Sequence, residues 1–359
     1  MAAMKPDTSA RFRPHVALRE DIVLPSVDCI RTDGRLDASL LSPALQQVLL
    51  RVARVRNIVS SMLIEGEKVE LGRAVEVLDT EVAETPNERA VLQLSRVYDR
   101  IARGKLLPLT IPSLCSVHKE VFEGVLPESV TGTLKERHNA IVEVGTGRVI
   151  FVPTPPKRVQ RELTALIRWF EDSRYLYPAP IVAGIFFAEF QAIHPFMDGN
   201  GRIGRLFNLS LLASLGLKNA PLVPVDTQFF LTRTRYYDMI ATTNSGARYE
   251  LWLRYFVKQL LRGYRMAASR TDLRPTVERF ESRVVRSLLT WALSGSGEWF
   301  RHGDFPNPGQ FSLPAITQSL RRLRQAGILE AKGERRGRRY RLSPMYLAKL
   351  ESRAGHVRL

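Results

Sequence analysis

The longest apolar stretch of the chain, residues 181–193, carries one charge, Glu189, and runs directly into a loop holding Gly199, Gly201 and Gly204. Thirteen residues are too few to cross a bilayer, and a second apolar stretch, 208–225, is interrupted by Lys218, Asn219 and two prolines. No membrane span or membrane partner is expected. The stretch reads instead as a helix that ends where the glycines begin, with another helical pattern on the far side of the loop.

Helical spacing recurs along most of the chain. Leu41, Leu45, Val48, Leu49, Val52 and Val55, continuing through Ile58, Val59 and Met62, predict two or three helices over residues 37–70. After a break at residues 85–87 the spacing predicts helices over 88–103 and 113–122, then over 159–170, 181–193, 202–215 and 249–264. Residues 132–156 differ. There Ile141, Val142 and Val144 are separated by Gly145, Thr146 and Gly147 from Val149, Ile150 and Val152, which predicts a β-hairpin bounded by prolines. Beyond Thr271 a helix is expected around 277–293, another at 313–325, and a short strand pair around 333–337.

With 359 residues, 45% of them hydrophobic, the chain can bury a large core and reads as two domains or one domain with an appendage. Cys29 and Cys115 alone cannot make a disulfide framework or a cysteine zinc site, so a reducing cytoplasm is the expected compartment. Residues 1–16 lack the apolar run of a signal peptide and read as a flexible tail, taken as 1–36. The net charge of +17 is unevenly spread: residues 275–359 hold sixteen Lys or Arg against seven Asp or Glu.

The loop carries the chemistry. It reads His194-Pro-Phe-Met-Asp-Gly-Asn-Gly-Arg-Ile-Gly-Arg205. Gly199, Asn200 and Gly201 let the backbone bend so that amide groups at the next helix start can cradle a phosphate. Arg202 and Arg205, three apart, can both fork onto phosphate oxygens, which implies more than one phosphate. Asp198 repels phosphate but suits a magnesium ion bridging phosphates. His194, an imidazole, can take the proton of an attacking hydroxyl. Taken singly, a histidine beside a proline usually packs in a core and a helical arginine pair usually faces water. Taken together, the constellation spells phosphate-ester transfer.

At every fixed position the loop resembles the signature of the Fic family, His-Pro-Phe-x-Asp/Glu-Gly-Asn-Gly-Arg-x-x-Arg. Fic proteins are helical enzymes that typically move AMP from magnesium-ATP onto a Ser, Thr or Tyr hydroxyl of a target protein. The resemblance implies that His194 is the general base, Asp198 the Mg2+ ligand, and Asn200, Gly201 and Arg202 the residues around the α- and β-phosphates. Gly204 joins this phosphate-binding set, and Arg205 would hold the γ-phosphate. A second signature, Ser/Thr-x-x-x-Glu-Gly/Asn, is matched by Ser61-Met-Leu-Ile-Glu65-Gly66. The resemblance implies an N-terminal inhibitory helix whose Glu65 pairs with Arg205 and leaves ATP in an unproductive pose. By itself this segment is also an ordinary helix end, with Gly66 as its C-terminal cap.

The hairpin resembles the family's target-aligning flap, but with Gly132-Thr-Leu-Lys135 where many relatives have an arginine, and Ala140-Ile141-Val142 where Trp-Ile-Gly is frequent. Target choice is left open. Tyr236 and Tyr237 are candidates for the adenine site. The resemblance covers roughly residues 41–261.

In the basic segment Leu313, Ile316, Leu320 and Leu323 form one face, with Gln318, Arg321, Arg322 and Arg324 off it, followed by Arg335, Arg336, Arg338 and Arg339. The pattern resembles a winged helix-turn-helix that contacts DNA, although Pro306 and Pro308 oppose the motif's first helix. A small domain packed against the core, its arginines solvated or engaging an acidic partner, is the equal alternative.

The expected architecture is mainly α: a Fic fold with an inserted β-hairpin flap plus a small winged helix-like α/β domain. Its parts are a tail (1–36), an N-terminal helical region with the inhibitory helix (37–110), the catalytic core (111–270) and the winged helix-like domain (275–350). The expected activity is autoinhibited protein adenylylation from Mg-ATP. Its rivals are AMP removal, use of another nucleotide, and a DNA-binding regulator with a nucleotide-sensing core. A homo-oligomer is left open.

Overall fold

The computed structural model describes residues 12, 14, 16–36, 43–142, 149–243, 249–270, 282–294, 299–305, 311–334, 337–343 and 346. Its first part is helical throughout: α1 (Glu20–Arg35), α2 (Pro43–Ile64), α3 (Leu71–Thr80), α4 (Pro86–Ala102) and α5 (Ile111–Phe122). The break at residues 85–87 is a capping box. Thr85 Oγ1 accepts from Glu88 N–H, the Glu88 carboxylate accepts from Thr85 N–H, and Pro86 sits in the first turn, where its missing donor costs nothing.

The hairpin follows, β1 (Ile141–Val142) antiparallel to β2 (Val149–Phe151), with Ile141 opposite Phe151. Its tip, residues 143–148, lies outside the described residues. Six helices then complete the main body: α6 (Pro156–Ser173), α7 (Ala179–Ile193), α8 (Asn200–Ser214), α9 (Val225–Leu231), α10 (Arg233–Thr242) and α11 (Glu250–Arg270). Every residue of α7 is buried, as a helix apolar on all sides must be. It packs against α6, α8 and α11, and Trp252 of α11 donates its indole N–H to Gly184 C=O at 2.8 Å.

Part of the expected tail is a packed helix. α1 lies along α11, with Ile22, Ser26, Cys29 and Asp33 as its buried face. Two of those four are polar, which is why apolar periodicity misses the helix. Asp33 accepts from the Tyr264 hydroxyl (2.9 Å) and from Asn219 N–H (3.0 Å), so its buried carboxylate is satisfied. Residues 43–64 are one helix, and α9 and α10 lie where no helix is expected. α9 is seven residues long, and α10 buries only Tyr236 and Ile240, too few positions for a visible stripe.

A second core forms after α11. α12 (Arg283–Ser294) and α13 (Leu313–Gln325) pack on a sheet of β3 (Phe300–Arg301), β4 (Leu329–Lys332) and β5 (Arg339–Leu342), ordered β3-β5-β4 and antiparallel. The strand pair expected around 333–337 is β4 with β5, which flank that stretch, residues 335–336 lying outside the described residues; the helix expected at 277–293 is described from Arg283, with 271–281 also outside them. Between β3 and α13 a single 3-10 turn, His302–Asp304, is described before residues 306–310 fall outside. Val48, Leu49 and Val52 of α2 belong to this second core, whereas Val55, Ile58 and Met62 belong to the first. One helix is therefore shared by both. Among the described residues no helix is long and apolar enough to cross a membrane.

Candidate active site

α7 stops at His194, which adopts left-handed backbone angles (φ 51°, ψ 62°) while its N–H still bonds to Phe190 C=O at 2.9 Å. A non-glycine residue in that region is uncommon, and here it turns the chain sharply out of the core. His194 Nδ1 lies 3.3 Å from Gln191 C=O. A carbonyl can only accept, so Nδ1 carries the proton and Nε2 keeps its lone pair. Burial, with the Lys135 charge second, pushes the imidazole down to about 4 against the opposing pull of Glu65. The ring is neutral at physiological pH.

The loop after His194 is fixed by side chains that motif reading overlooks. Lys135 donates Nζ–H to Ile193 C=O (3.2 Å) and to Asn139 Oδ1 (2.8 Å), and its N–H bonds to Pro195 C=O at 2.8 Å. Asn139 in turn donates to Phe196 C=O at 2.9 Å. His118 donates Nε2–H to Asp198 C=O (3.1 Å) and accepts from Gly132 N–H (2.9 Å), while its ring stacks on Phe196 with centroids 4.0 Å apart. Only the placement of Lys135 beside the hairpin hinted at such a role in the sequence. His118 and Asn139 gave no signal, because their partners are backbone carbonyls some 60 to 80 positions away along the chain.

Lys135 is largely buried, which pushes its ammonium down to about 8. Replacing it with Met removes both the brace on Ile193 C=O and a positive charge near His194. In a transfer-competent background the acid limb of the kcat/KM profile is expected near the depressed His194 value, well below the usual histidine range, because only the neutral ring accepts a proton. Lys135→Met is expected to lower kcat and to move that limb upward. A limb that stays in place while kcat falls would mean that Lys135 only braces the loop.

α8 begins on Gly199, also left-handed at φ 76°, and its first amides, at Asn200, Gly201 and Arg202, lack intrahelical acceptors. Asn200 contributes to this cradle through its backbone alone. Its side chain is spent on the loop, accepting from Phe196 N–H and donating to Phe196 C=O, both at 2.8 Å. Gly204 faces the other way, since a β-carbon there would collide with Gln191 Nε2 of α7. Its smallness serves helix packing. Arg202 is buried, stacks over the Phe122 ring at 4.5 Å and reaches Asp198 Oδ1 at 3.3 Å, but among the described residues its buried Nε has no acceptor. An orphaned buried donor beside a helix N-terminus suits an anion.

Asp198 is 58% exposed at its side chain, and Oδ1 is shared between Gly199 N–H and Arg202. No group of three or more acidic, His or Cys side chains suited to a metal is found among the described residues. One exposed carboxylate beside an anion cradle fits an ion such as Mg2+ that takes most of its ligands from phosphate oxygens and water.

The segment Ser61–Gly66 converges on the same place. α2 ends in a Schellman motif, with Glu67 N–H bonded to Met62 C=O (3.1 Å), Gly66 N–H to Leu63 C=O (3.2 Å) and Gly66 at φ 86°. Gly66 is the C-terminal cap of a helix end, and the turn aims Glu65 inward rather than into solvent. Arg205 donates Nη2–H to Glu65 Oε1 (2.6 Å) and to Ser61 C=O (2.9 Å), Nε–H to Ser61 Oγ (2.8 Å), and Nη1–H to the Tyr236 hydroxyl (3.4 Å). Burial raises the Glu65 carboxyl, but the charges of Arg205 and Arg202 outweigh it and hold the group below the usual range. The carboxylate also covers the start of α8, where a β-carbon on Gly201 would strike Glu65 Oε1. Glu65 takes the position at the helix N-terminus that suits an anion.

Tyr236 and Tyr237 support this contact. Tyr236 is 2% exposed, packed against Phe229 and Trp252, and offers no free face to a base. Tyr237 donates its hydroxyl to Ile64 C=O at 2.8 Å and so holds the end of α2. Tyr236 is enclosed on Arg205, whereas Tyr237 is half-buried with its hydroxyl on the end of α2.

Residues 108–212 match the family model described as "Fic/DOC family". Among curated relatives, "Protein adenylyltransferase Fic" of Drosophila persimilis is 28% identical over 204 residues, covering 54% of this chain and 37% of that protein. The protein of the same name from Drosophila willistoni is 29% identical over 206 residues, covering 54% and 38%. The matched region thus spans little more than a third of these relatives' length. Among solved structures, a Fic family protein from Desulfovibrio desulfuricans G20 superposes with a TM-score of 0.64 at 22% identity, covering 93% of this chain and 99% of that one. Fic-1 of C. elegans superposes at 0.54 and 17%, covering 72% and 73%. These structures share the fold.

Proposed function

Because the chain belongs to the Fic family through the domain at residues 108–212, we propose that it is a protein adenylyltransferase restrained by its own Glu65. The observation that carries the proposal is the meeting at one helix start of an imidazole with a free Nε2, an anion cradle and two buried arginines. The amides of Gly201 and Arg202 and the Arg202 guanidinium bind the α- and β-phosphates of ATP. A magnesium ion at Asp198, when bound, neutralises phosphate charge. His194 Nε2 accepts the proton of a Ser, Thr or Tyr hydroxyl of the target. The hydroxyl oxygen attacks the α-phosphorus, the bond from that phosphorus to the bridging oxygen breaks, and pyrophosphate leaves. The β1–β2 hairpin aligns the target segment by strand pairing.

Arg205 completes the site only when free to bind the γ-phosphate. Held by Ser61 and Glu65, it leaves ATP in a pose unsuited to in-line attack. Label offered on the α-phosphate of ATP should pass to protein, and label offered on the γ-phosphate should not. Transfer of the γ-label would replace adenylylation with phosphorylation.

A further inference from the structure

The second core presents a surface that nucleotide transfer does not use. α13 buries Ile316, Ser319, Leu320 and Leu323 and leaves Thr317, Gln318, Arg321, Arg322, Arg324 and Gln325 exposed. No acidic residue occurs within Leu313–Gln325. Gln318, Arg321, Arg322 and Gln325 fall at i, i+3, i+4 and i+7 and form one ridge, roughly 10 Å long at the helical rise. The turn after β4 adds the exposed Lys332, Arg338 and Arg339. Across residues 311–342 nine Lys or Arg face two acidic residues, and one of those, Glu330, is paired with Arg341. Among the described residues, Arg321, Arg322, Arg324, Arg338 and Arg339 form no ion pair. Among the described residues this charge is uncompensated.

We propose that the exposed ridge of α13 and the β4–β5 turn dock duplex DNA. A single helix matches the major groove, about 12 Å wide, and glutamine and arginine are the side chains that bond bidentately to adenine and guanine edges. The order α12, β3, α13, β4, β5, with the sheet ordered β3-β5-β4, places α13 directly before the hairpin that carries the basic turn. A helix in the groove and a wing on the flanking phosphates is the geometry of winged-helix recognition. An acidic polypeptide would satisfy the charge but has no use for a straight ridge of amide and guanidinium groups.

The test uses the full chain and a fluorescein-labelled, mixed-sequence duplex of about 24 base pairs, read by anisotropy. With three to five phosphate contacts, affinity is expected to fall roughly 40- to 500-fold over a fourfold rise in salt. The combined Arg321→Ala, Arg322→Ala and Arg324→Ala variant should bind at least about tenfold more weakly, at an unchanged melting temperature, because the three side chains are exposed. Should that variant misfold, Arg338→Ala/Arg339→Ala carries the same expectation from the turn. Absence of duplex binding at low salt overturns the proposal, as do variants that fold and bind like the wild type. So does displacement of the duplex by polyglutamate as readily as by unlabelled duplex, which would assign the surface to an acidic protein.

Discussion

Glu65→Gly is expected to raise the initial rate of AMP transfer at least about tenfold, equivalent to about 1.4 kcal/mol of relieved inhibition. The substitution removes one acceptor from Arg205 Nη2 and uncovers the start of α8, while Ser61 still holds Nε. It falls on the C-cap of α2, where glycine costs little helix propensity. The lost ion pair has its own signature. Arg205 is 1% exposed at its side chain and Glu65 27%, so the arginine is left short of a partner. The variant should melt at a lower temperature by itself, at a cost below the roughly 3–5 kcal/mol of a fully buried broken pair. Mg-ATP should then raise its melting temperature more than it raises that of the wild type, because the γ-phosphate replaces the carboxylate. Equal rates in the two proteins would remove Glu65 from any inhibitory role.

Placed in the Glu65→Gly background, His194→Ala is expected to lower transfer by roughly 10²- to 10⁴-fold, the usual worth of a positioned general base. His194 is held by one weak side-chain hydrogen bond, to Gln191 C=O, so its loss should barely alter nucleotide binding or melting. The drop should appear in kcat with the affinity for ATP retained, since the proposed phosphate contacts lie on α8 and its arginines. A comparable loss of ATP affinity would mean that His194 shapes the nucleotide site, and a rate within a few-fold of the parent would mean that another group takes the proton.

The sequence announced the chemistry more clearly than its scaffolding. Residue type and short spacing make 194–205 legible as a phosphate site, whereas only the family resemblance links 61–66 to it. The structure brings them together, with Arg205 and Glu65 in contact at 2.6 Å. What stayed hidden depends on long-range partners. Asn200 looked like a phosphate ligand, and only the fold shows its side chain spent on Phe196. Gly204 looked like part of the cradle, and only the approach of α7 explains it. Tyr236 and Tyr237 were ambiguous between base recognition and packing until their contacts with Arg205 and Ile64 appeared.

The fold shows the same division. α7 and α8 were legible from their apolar content, and α4 from its helical spacing after the break at 85–87. α1 was not, because half of its buried face is polar and its partners, Asn219 and Tyr264, lie far along the chain. Nor does any local pattern reveal that α2 changes cores midway. Val48 and Val52 sit in the C-terminal core while Ser61, with Glu65 just past the helix end, bonds Arg205, so the second core and the Arg205 contact meet on one 22-residue helix.

Glu65 is proposed to withhold an adenylyl-transfer site built on His194. The most direct test follows label from the α-phosphate of Mg-ATP into protein, in cell lysate, with the wild type, Glu65→Gly and Glu65→Gly/His194→Ala. Strong labelling with Glu65→Gly alone, weak with the wild type and lost in the double variant, is the predicted result. Equal labelling by all three proteins, or none by any of them, would contradict it.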